Sequence, residues 1–506
     1  KVINTLGTLL YGLTVDSKGR IFVAQTDARN DVNGRAGSKK QGLGELGNRA
    51  FLNQITSVKL DGKAFAKPEF INLEPLPPKH PAQGEALATP FAIQVSKDDS
   101  TLVASAAGSD KVFTVDTNTG SVIGQVKVGA VPRGIALESG REGNLLRAWV
   151  LNALANTVSL VDVSNPKKLK VEAVIPLEDP THPAFKRGRI AFNKAAASTT
   201  KTFSCASCHP DGHTDQLLWV LKTPIVTGGN QIMPRSTMPV RGLRDTAPFH
   251  WDGIPGDPYG GNNSANVRNY KVKPNSSIKS PESTTRHLLD GALASTMAMV
   301  GASGKNDEGK AGLLTKAERD DMAKFLLNVT YPPAQRRAYT NVLSEKAKEG
   351  FDLFHIKGDN DPTKPNPNIC GDCHRMPFWV STNTPGTGMD APTWRGAYDR
   401  FLILPQGRLN IIDFDFYRRV AEEGIPERKV WQFSWAGRSR FNPVWDMVLE
   451  GSTGFSGSFA RQVTLSKGTA DEVLTGDLLD ALESSSAEGG IVLQVDGTFI
   501  HKTKGS

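Results

Sequence analysis

Cysteine is scarce in this chain, with four in 506 residues, and a disulfide-built scaffold is excluded at that density. No stretch of 18 or more uninterrupted apolar residues occurs, so no transmembrane helix is expected. Aromatic residues make up only 7%. Basic residues never run to five in a row or interleave with aromatics, which argues against nucleic acid as a partner. Lys and Arg number 60 against 52 Asp and Glu, a formal charge of +8. A diffuse positive field of that kind suits acidic partners. Position 1 is Lys rather than Met, and no charged-then-apolar leader follows it. The expectation is a removed signal peptide or a numbering that starts inside a longer protein. Hydrophobic residues at 38% and charged residues at 22% are a globular balance. The length calls for two or three domains. With 49 Gly and 31 Pro, short strands and structured loops are favoured over a plain helix bundle.

The four cysteines are concentrated in two pentapeptides, Cys205-Ala206-Ser207-Cys208-His209 and Cys370-Gly371-Asp372-Cys373-His374. Cys-x-x-Cys-His is the attachment pattern of c-type haem. Two thiols three residues apart reach both vinyl groups of one porphyrin. The adjacent imidazole, His209 or His374, then falls beneath the iron as proximal ligand. Zinc ribbons set their cysteine pairs about 15–20 residues apart, whereas here Cys208 and Cys370 are 162 positions apart. A thioredoxin-type pair has no need of the adjoining histidine. Two covalently bound haem c groups are therefore expected, and with them a periplasmic or extracellular protein.

Residues 1–185 read as β-structure. Leu10–Val15, Ile21–Gln25, Thr101–Ala104, Lys111–Asp116, Val122–Val128 and Thr157–Val163 are short, rich in β-branched residues and bounded by turns. Pro90–Val95 is echoed 42 residues later by Pro132–Leu137, and Ser109–Asp116 is echoed 46 residues later by Ala155–Asp162. That period signals a propeller blade. Trp149–Asp162 resembles the YVTN class of β-propeller repeat. There is room for about four blades, and 28–89 is less regular. The ring is then expected to be completed by sequence ahead of Lys1.

From 186 the texture changes to helices and long loops. Arg187–Phe192 and Gly350–Phe354 each precede a haem motif. Thr315 and Glu318 form a capping box ahead of Met322, Phe325 and Leu326, a helix stopped by Pro332-Pro333. Arg241–Gly253 aligns without gaps on Arg395–Gly407, so the two haem regions read as a duplication. The expected fold is a multidomain β + α chain. A β-propeller-like region at 1–185 precedes two tandem α-helical cytochrome c domains at 186–335 and 336–475. A tail at 476–506 carries a helix and a β-hairpin with an Asp496-Gly497 turn.

The haem half resembles the bacterial dihaem cytochrome c peroxidase superfamily. The likeness is carried by SCASCHPDG at 204–212, Pro239-Val240-Arg241-Gly242, TAPFHWDG at 246–253 and CGDCHRMPF at 370–378. It implies two c-haems exchanging electrons. In some members one haem is the entry site and the other reduces hydrogen peroxide. By the same resemblance Arg241 and Arg395 stand where the family places a basic residue near the haem, and a guanidinium suits a propionate. His250 matches a distal loop. Met297 or Met299 falls where the family puts an axial methionine of the first haem, with Met233 and Met238 as alternatives. At the second haem Thr453 and Phe455 replace those methionines and Leu404 replaces His250. Its distal side is either open, with Gln406 as a polar candidate, or closed by Met389, Met376 or Met447. The leading expectation is a secreted dihaem electron-transfer protein. Its partner would be a redox protein or a neighbouring cytochrome subunit, in an oligomer or larger assembly. A peroxidase-type oxidoreductase with the second haem as reaction centre, and a structural component of an extracellular cytochrome assembly, are the alternatives.

Overall fold

The computed structural model describes residues 7–29, 49–61, 64–224, 230–245, 277, 279–294, 297, 305–310, 312–330, 336–339, 342–358, 369–373, 394, 442–451, 458, 461–487 and 491–498. The chain divides into two compact units, Lys1–Val329 with Thr382–Asp390, and Thr330–Ser381 with Ala391–Ser506.

The first unit opens with three antiparallel sheets. Sheet 1 contains β1 (Leu9–Val15), β2 (Arg20–Ala28), β3 (Phe51–Asp61), β4 (Ala64–Phe65) and β5 (Glu69–Asn72). Sheet 2 is a meander of β6 (Pro90–Val95), β7 (Thr101–Ala106), β8 (Lys111–Asp116) and β9 (Ser121–Lys127). Sheet 3 repeats it with β10 (Pro132–Ser139), β11 (Leu145–Asn152), β12 (Thr157–Asp162) and β13 (Lys170–Pro176). Side chains alternate between faces along a strand, and sheet 2 uses both faces. Leu102, Ala104, Phe113 and Val115 join Phe22, Ile55 and Ile71 of sheet 1. Val103 and Val112 turn the other way, to Ala148, Val150 and Val161 of sheet 3. The first strands draw together, β6 lying against both β1 and β10. At Gly12 a Cβ would stand 2.4 Å from the Phe91 carbonyl oxygen, so β1 comes this close to β6 only without a side chain there. Successive sheets stacked face to face around gathered first strands are a β-propeller-like arrangement.

The sequence repeat has a backbone counterpart. Thr89 and Val131 both take φ 55°, and each precedes the proline that opens a sheet. Their carbonyls accept from equivalent alanines, Ala107 and Ala153. A β-branched residue at positive φ is costly, about 1–3 kcal/mol, and here the same turn recurs at two sheet entries. Three sheets are described where about four blades were expected. Residues 51–72 complete sheet 1 instead of starting another, and 73–89 form a connector with no strand.

Helices follow in the same unit: α1 (Pro183–Asn193), the single turn α2 (Cys205–Cys208), α3 (Pro281–Ala294) and α4 (Lys316–Asn328). Between α2 and α3 a hairpin pairs β14 (Leu218–Pro224) with β15 (Asn230–Ser236), where the sequence suggested only helix and loop. The capping box of Thr315 and Glu318 starts α4 as expected. Met322 and Leu326 are buried on its inner face, and Phe325 meets Phe192 of α1 at 5.8 Å.

Arg319 of α4 is fully buried and fastens α3 and the 305–310 segment. Its guanidinium donates to Asp290 Oδ1 (2.8 Å) and Asp307 Oδ1 (3.2 Å) and pairs with Glu308 Oε2 (2.8 Å). Arg319→Met is expected to cost about 3 kcal/mol, the low end for breaking a buried pair, because Arg286 and Lys310 still face these carboxylates. Burial alone would raise Asp290, but the bonds from Arg319 and Lys310 outweigh it and hold the carboxyl below its ordinary 3.8. The stability it contributes is complete above that value and lost as pH falls below it, through the lower folded-state value. Urea unfolding at pH 7 and at about pH 3 should therefore show a smaller acid loss in the variant than in the parent. Equal losses would remove the network from the account.

The second unit contains α5 (Glu345–Asp352), a π-helical turn at Leu353–Lys357, the single turn α6 (Cys370–Cys373), α7 (Asn442–Glu450) and α8 (Val473–Ala487). Glu450 at the end of α7 accepts from Ser344 N and Ser344 Oγ, both 2.8 Å, and so caps the entry to α5. The expected tail helix is present as α8, but 491–498 contains no strand. Val492 and Val495 there are 96% and 83% exposed. The rest of the expected second strand, 499–501, lies outside the described residues.

Candidate functional site

The first motif begins with a lead-in at 198–204 and continues through the single turn α2. Ser204 N donates to Ser207 Oγ (3.0 Å), and His209 N donates to the Cys205 carbonyl (3.0 Å), which closes the turn. Cys205, Ala206 and Cys208 pack on a buried cluster that includes Phe203, Trp219, Leu289, Leu293, Met297, Met322 and Leu326. Burial pushes the Cys205 thiol up to about 12. The Cys208 thiol is raised well above its ordinary value, by burial first and then by the charge of Asp215. Both thiols are free of disulfides.

The chain then turns sharply over Pro210–Gly212, with Asp211 at φ 52°. Arg241 Nη2 donates to the Asp211 carbonyl (3.1 Å) and Val240 N to the Gly212 carbonyl (3.0 Å). The predicted Arg241 thus bonds to the turn that directly follows His209. Met238 is near the same strap but 36% exposed. Met297 is 5% exposed in the cluster that supports the thiols, and its carbonyl accepts from Thr199 N in the lead-in (3.0 Å).

Two residues of this site were not singled out from the sequence. Asp215 is buried, accepts from Trp219 Nε1 (2.9 Å) and Leu217 N (3.0 Å), and its own N–H donates to the Cys208 carbonyl. Burial is the main cause of its raised pKa. The available signal was an acid six residues after His209 with a tryptophan four residues further on.

At the second motif Cys370 is buried and begins α6. Gly371 lies against the π-helical turn, where a Cβ would stand 2.8 Å from His355 Nδ1. His355 is ringed by Phe351 (4.5 Å), Phe354 (4.9 Å) and Trp394 (6.3 Å). Met447 is 1% exposed on α7. The backbone of Cys373 is described, and its side chain lies outside the described residues, as do His374, Arg395, Met299, Met389, His250 and Gln406. Among the described residues, no three His, Cys, Asp or Glu side chains are grouped to hold a metal ion directly, and no helix is long and apolar enough to cross a membrane.

The two motifs share a packing device. Each is preceded by a helix with a glycine at which a later helix crosses. On α1 a Cβ at Gly188 would be 2.1 Å from the Asp321 carbonyl oxygen of α4. On α5 a Cβ at Gly350 would be 1.9 Å from the Pro443 carbonyl oxygen of α7. The order helix, motif, crossing helix thus occurs once in each unit.

No protein family matches the chain, and no curated protein matches it. Among solved structures it is similar to the hydrazine synthase of Kuenenia stuttgartiensis, at 13% identity and a TM-score of 0.24 over 30% of this chain and 45% of that one. It is also similar to the β-propeller domain of Cps50 (Swd1) from Myceliophteria thermophila, at 12% identity and a TM-score of 0.22 over 33% and 60%. A third is apo AztD from Citrobacter koseri, at 10% identity and a TM-score of 0.21 over 34% and 36%. Each match spans less than two thirds of the neighbour's own length. The β-propeller-like character of residues 9–176 accordingly rests on this chain's own three sheets.

Proposed function

We propose that the chain is a dihaem c-type cytochrome, exported to the periplasm or beyond, that passes electrons through two covalently held haems to a redox protein partner or neighbouring cytochrome subunit. The observation that carries this reading is the repeated order of helix, Cys-x-x-Cys-His turn and glycine-crossed helix, once with Gly188 and once with Gly350. Two tandem cytochrome c domains would account for that repeat. The donor set fits the group: two thiols on one turn, an imidazole on the next residue, and at the first site an apolar wall.

A bound haem supplies a one-electron couple. Cys205 with Cys208, and Cys370 with Cys373, would hold the two groups, and His209 and His374 would each supply an imidazole ligand to the iron. Phe203, Leu289, Leu293 and Leu326 would exclude water from the first, which favours a potential set by the protein. Met297, buried in that same wall, is the candidate sixth ligand, and Arg241 on the strap is the candidate partner for a propionate. The far face of sheet 3 exposes Trp149, Leu151 and Ile175, a surface suited to protein contact.

A spectroelectrochemical titration tests the proposal. It should resolve two c-type transitions, and Met297→His should lower one of them while leaving the other in place, because imidazole favours ferric iron more than a thioether does. A chain without two such transitions is not a dihaem cytochrome. A Met297→His chain with both transitions unmoved would return Met297 to the hydrophobic core.

A further inference from the structure

The side chain of Asn53, on β3, is 2% exposed and is bonded on both sides. Its Nδ2 donates to Glu74 Oε2 (3.0 Å) and to the Thr202 carbonyl (3.0 Å), and its Oδ1 accepts from Thr89 N (2.9 Å). Glu74 is itself tied to buried Arg49 (3.1 Å) and accepts from Leu87 N (3.0 Å). One amide therefore joins sheet 1, the connector, the entry to sheet 2 and the segment that leads into Cys205.

Thr202 lies three residues ahead of Cys205. Its neighbour Phe203 packs on Phe51 of β3, with ring centroids 6.1 Å apart, and Phe51 also meets Trp219 at 5.6 Å. At the other end of the lead-in, Thr199 N holds the Met297 carbonyl. Within seven residues the lead-in carries the bond to Met297, the bond to Asn53 and the first thiol. Ala28 and Phe51 of sheet 1, with Ala50 just ahead of β3, belong to the same buried cluster as Met297 and support the motif.

Resting on the dihaem reading, we infer that Asn53, seconded by Phe51, is a positioning residue for the first haem. It holds the lead-in in the register that keeps Met297 in the cluster on which Cys205 and Cys208 pack. The β-propeller-like region is then a wall of the first haem site as well as a surface for partners, and a displacement of β3 is felt at that haem. The physical reason is that a buried amide with filled donors and acceptor has one arrangement. Without it the Thr202 carbonyl and Thr89 N–H are left unpaired in the interior, and the lead-in shifts to find other partners.

The test uses the full haem-loaded chain. Covalent haem is counted by pyridine haemochrome, and the two midpoints are read by spectroelectrochemistry, the first haem being identified by its response to Met297→His. Asn53→Ala should keep two haems and lower the first midpoint by about a tenfold change in its reduction equilibrium, about 59 mV for one electron. The second midpoint should not move. Asn152→Ala removes another fully buried asparagine, on β11, whose amide donates to Thr157 and Ser159 of β12, and should destabilise the chain without shifting either midpoint. An unmoved first midpoint in Asn53→Ala, or an equal shift in Asn152→Ala, overturns the inference. If Asn53→Ala does not fold, Phe51→Leu carries the test: a smaller shift of the same sign supports it and no shift overturns it. Fewer than two covalent haems in the unmodified chain would overturn the dihaem reading, and this inference with it.

Discussion

Denatured and extracted with acidic acetone, the chain is expected to keep two haem equivalents. Changing Cys205 and Cys208 together to Ala should leave one, and changing all four cysteines should leave none. Thioether bonds survive loss of the fold, whereas a haem held by its iron alone is released once its ligands scatter. Each pentapeptide contains its own two thiols and its own imidazole, so the two losses should be independent. The structure adds a reason for the first site: its thiols share one helical turn and stand on an apolar wall, partly buried and uncrosslinked. Pyridine haemochrome spectra per mole of chain are the measurement. Extractable haem, or one equivalent in the unmodified protein, would sink the dihaem reading.

Gly188→Ala and Gly350→Ala should each destabilise, against the usual trend. In a helix interior this substitution normally gains about 1 kcal/mol, since alanine is the better helix former. Here the added methyl would meet a backbone oxygen at 2.1 Å in one case and 1.9 Å in the other. A carbonyl on a packed helix cannot rotate aside as a flexible side chain can. The helices must part, and overpacking of this kind costs about 1–3 kcal/mol or more. A net loss of about 2 kcal/mol is expected, a fall of roughly 4–8 °C in Tm for domains of this size. The effects should also be local. Gly188→Ala loosens the α1–α4 pair beside the first motif, and Gly350→Ala the α5–α7 pair that precedes the second. Melts followed at the two haem bands should separate them. A neutral or stabilising result at either glycine would show that its crossing is looser than described.

The elements that were legible in the sequence are those specified by neighbours along the chain. Lys111–Asp116 was readable as a strand because it is short, rich in β-branched residues and bounded by turns, and it is β8. Thr315 and Glu318 announced α4 because a capping box is a contact across three residues. The 42- and 46-residue echoes became β6 with β10 and β8 with β12. The β14–β15 hairpin was missed because Leu218–Pro224 mixes apolar residues with a lysine and ends in proline, so its period is ambiguous. Of the expected hairpin at 491–501, residues 491–498 are described and contain no strand, and 499–501 lie outside the described residues.

By itself the sequence determined which atoms can do chemistry: four thiols in two spacings, each with an imidazole one residue on, and a repeat of blade length ahead of them. Covalent spacing and local periodicity are properties of a few consecutive residues, so they survive without coordinates. Tertiary structure alone decided what surrounds those atoms. It brought Asn53 to Thr202, 149 residues away, placed Asp215 and Trp219 beside Cys208, buried Met297 in the wall behind the thiols, and made Gly188 and Gly350 points of backbone contact. Apart from Asp215 and Trp219, which lie within eleven residues of Cys208, these pairings leave no trace in local pattern, because each is a meeting of segments remote along the chain, selected by how sheets and helices pack rather than by the residues next to them.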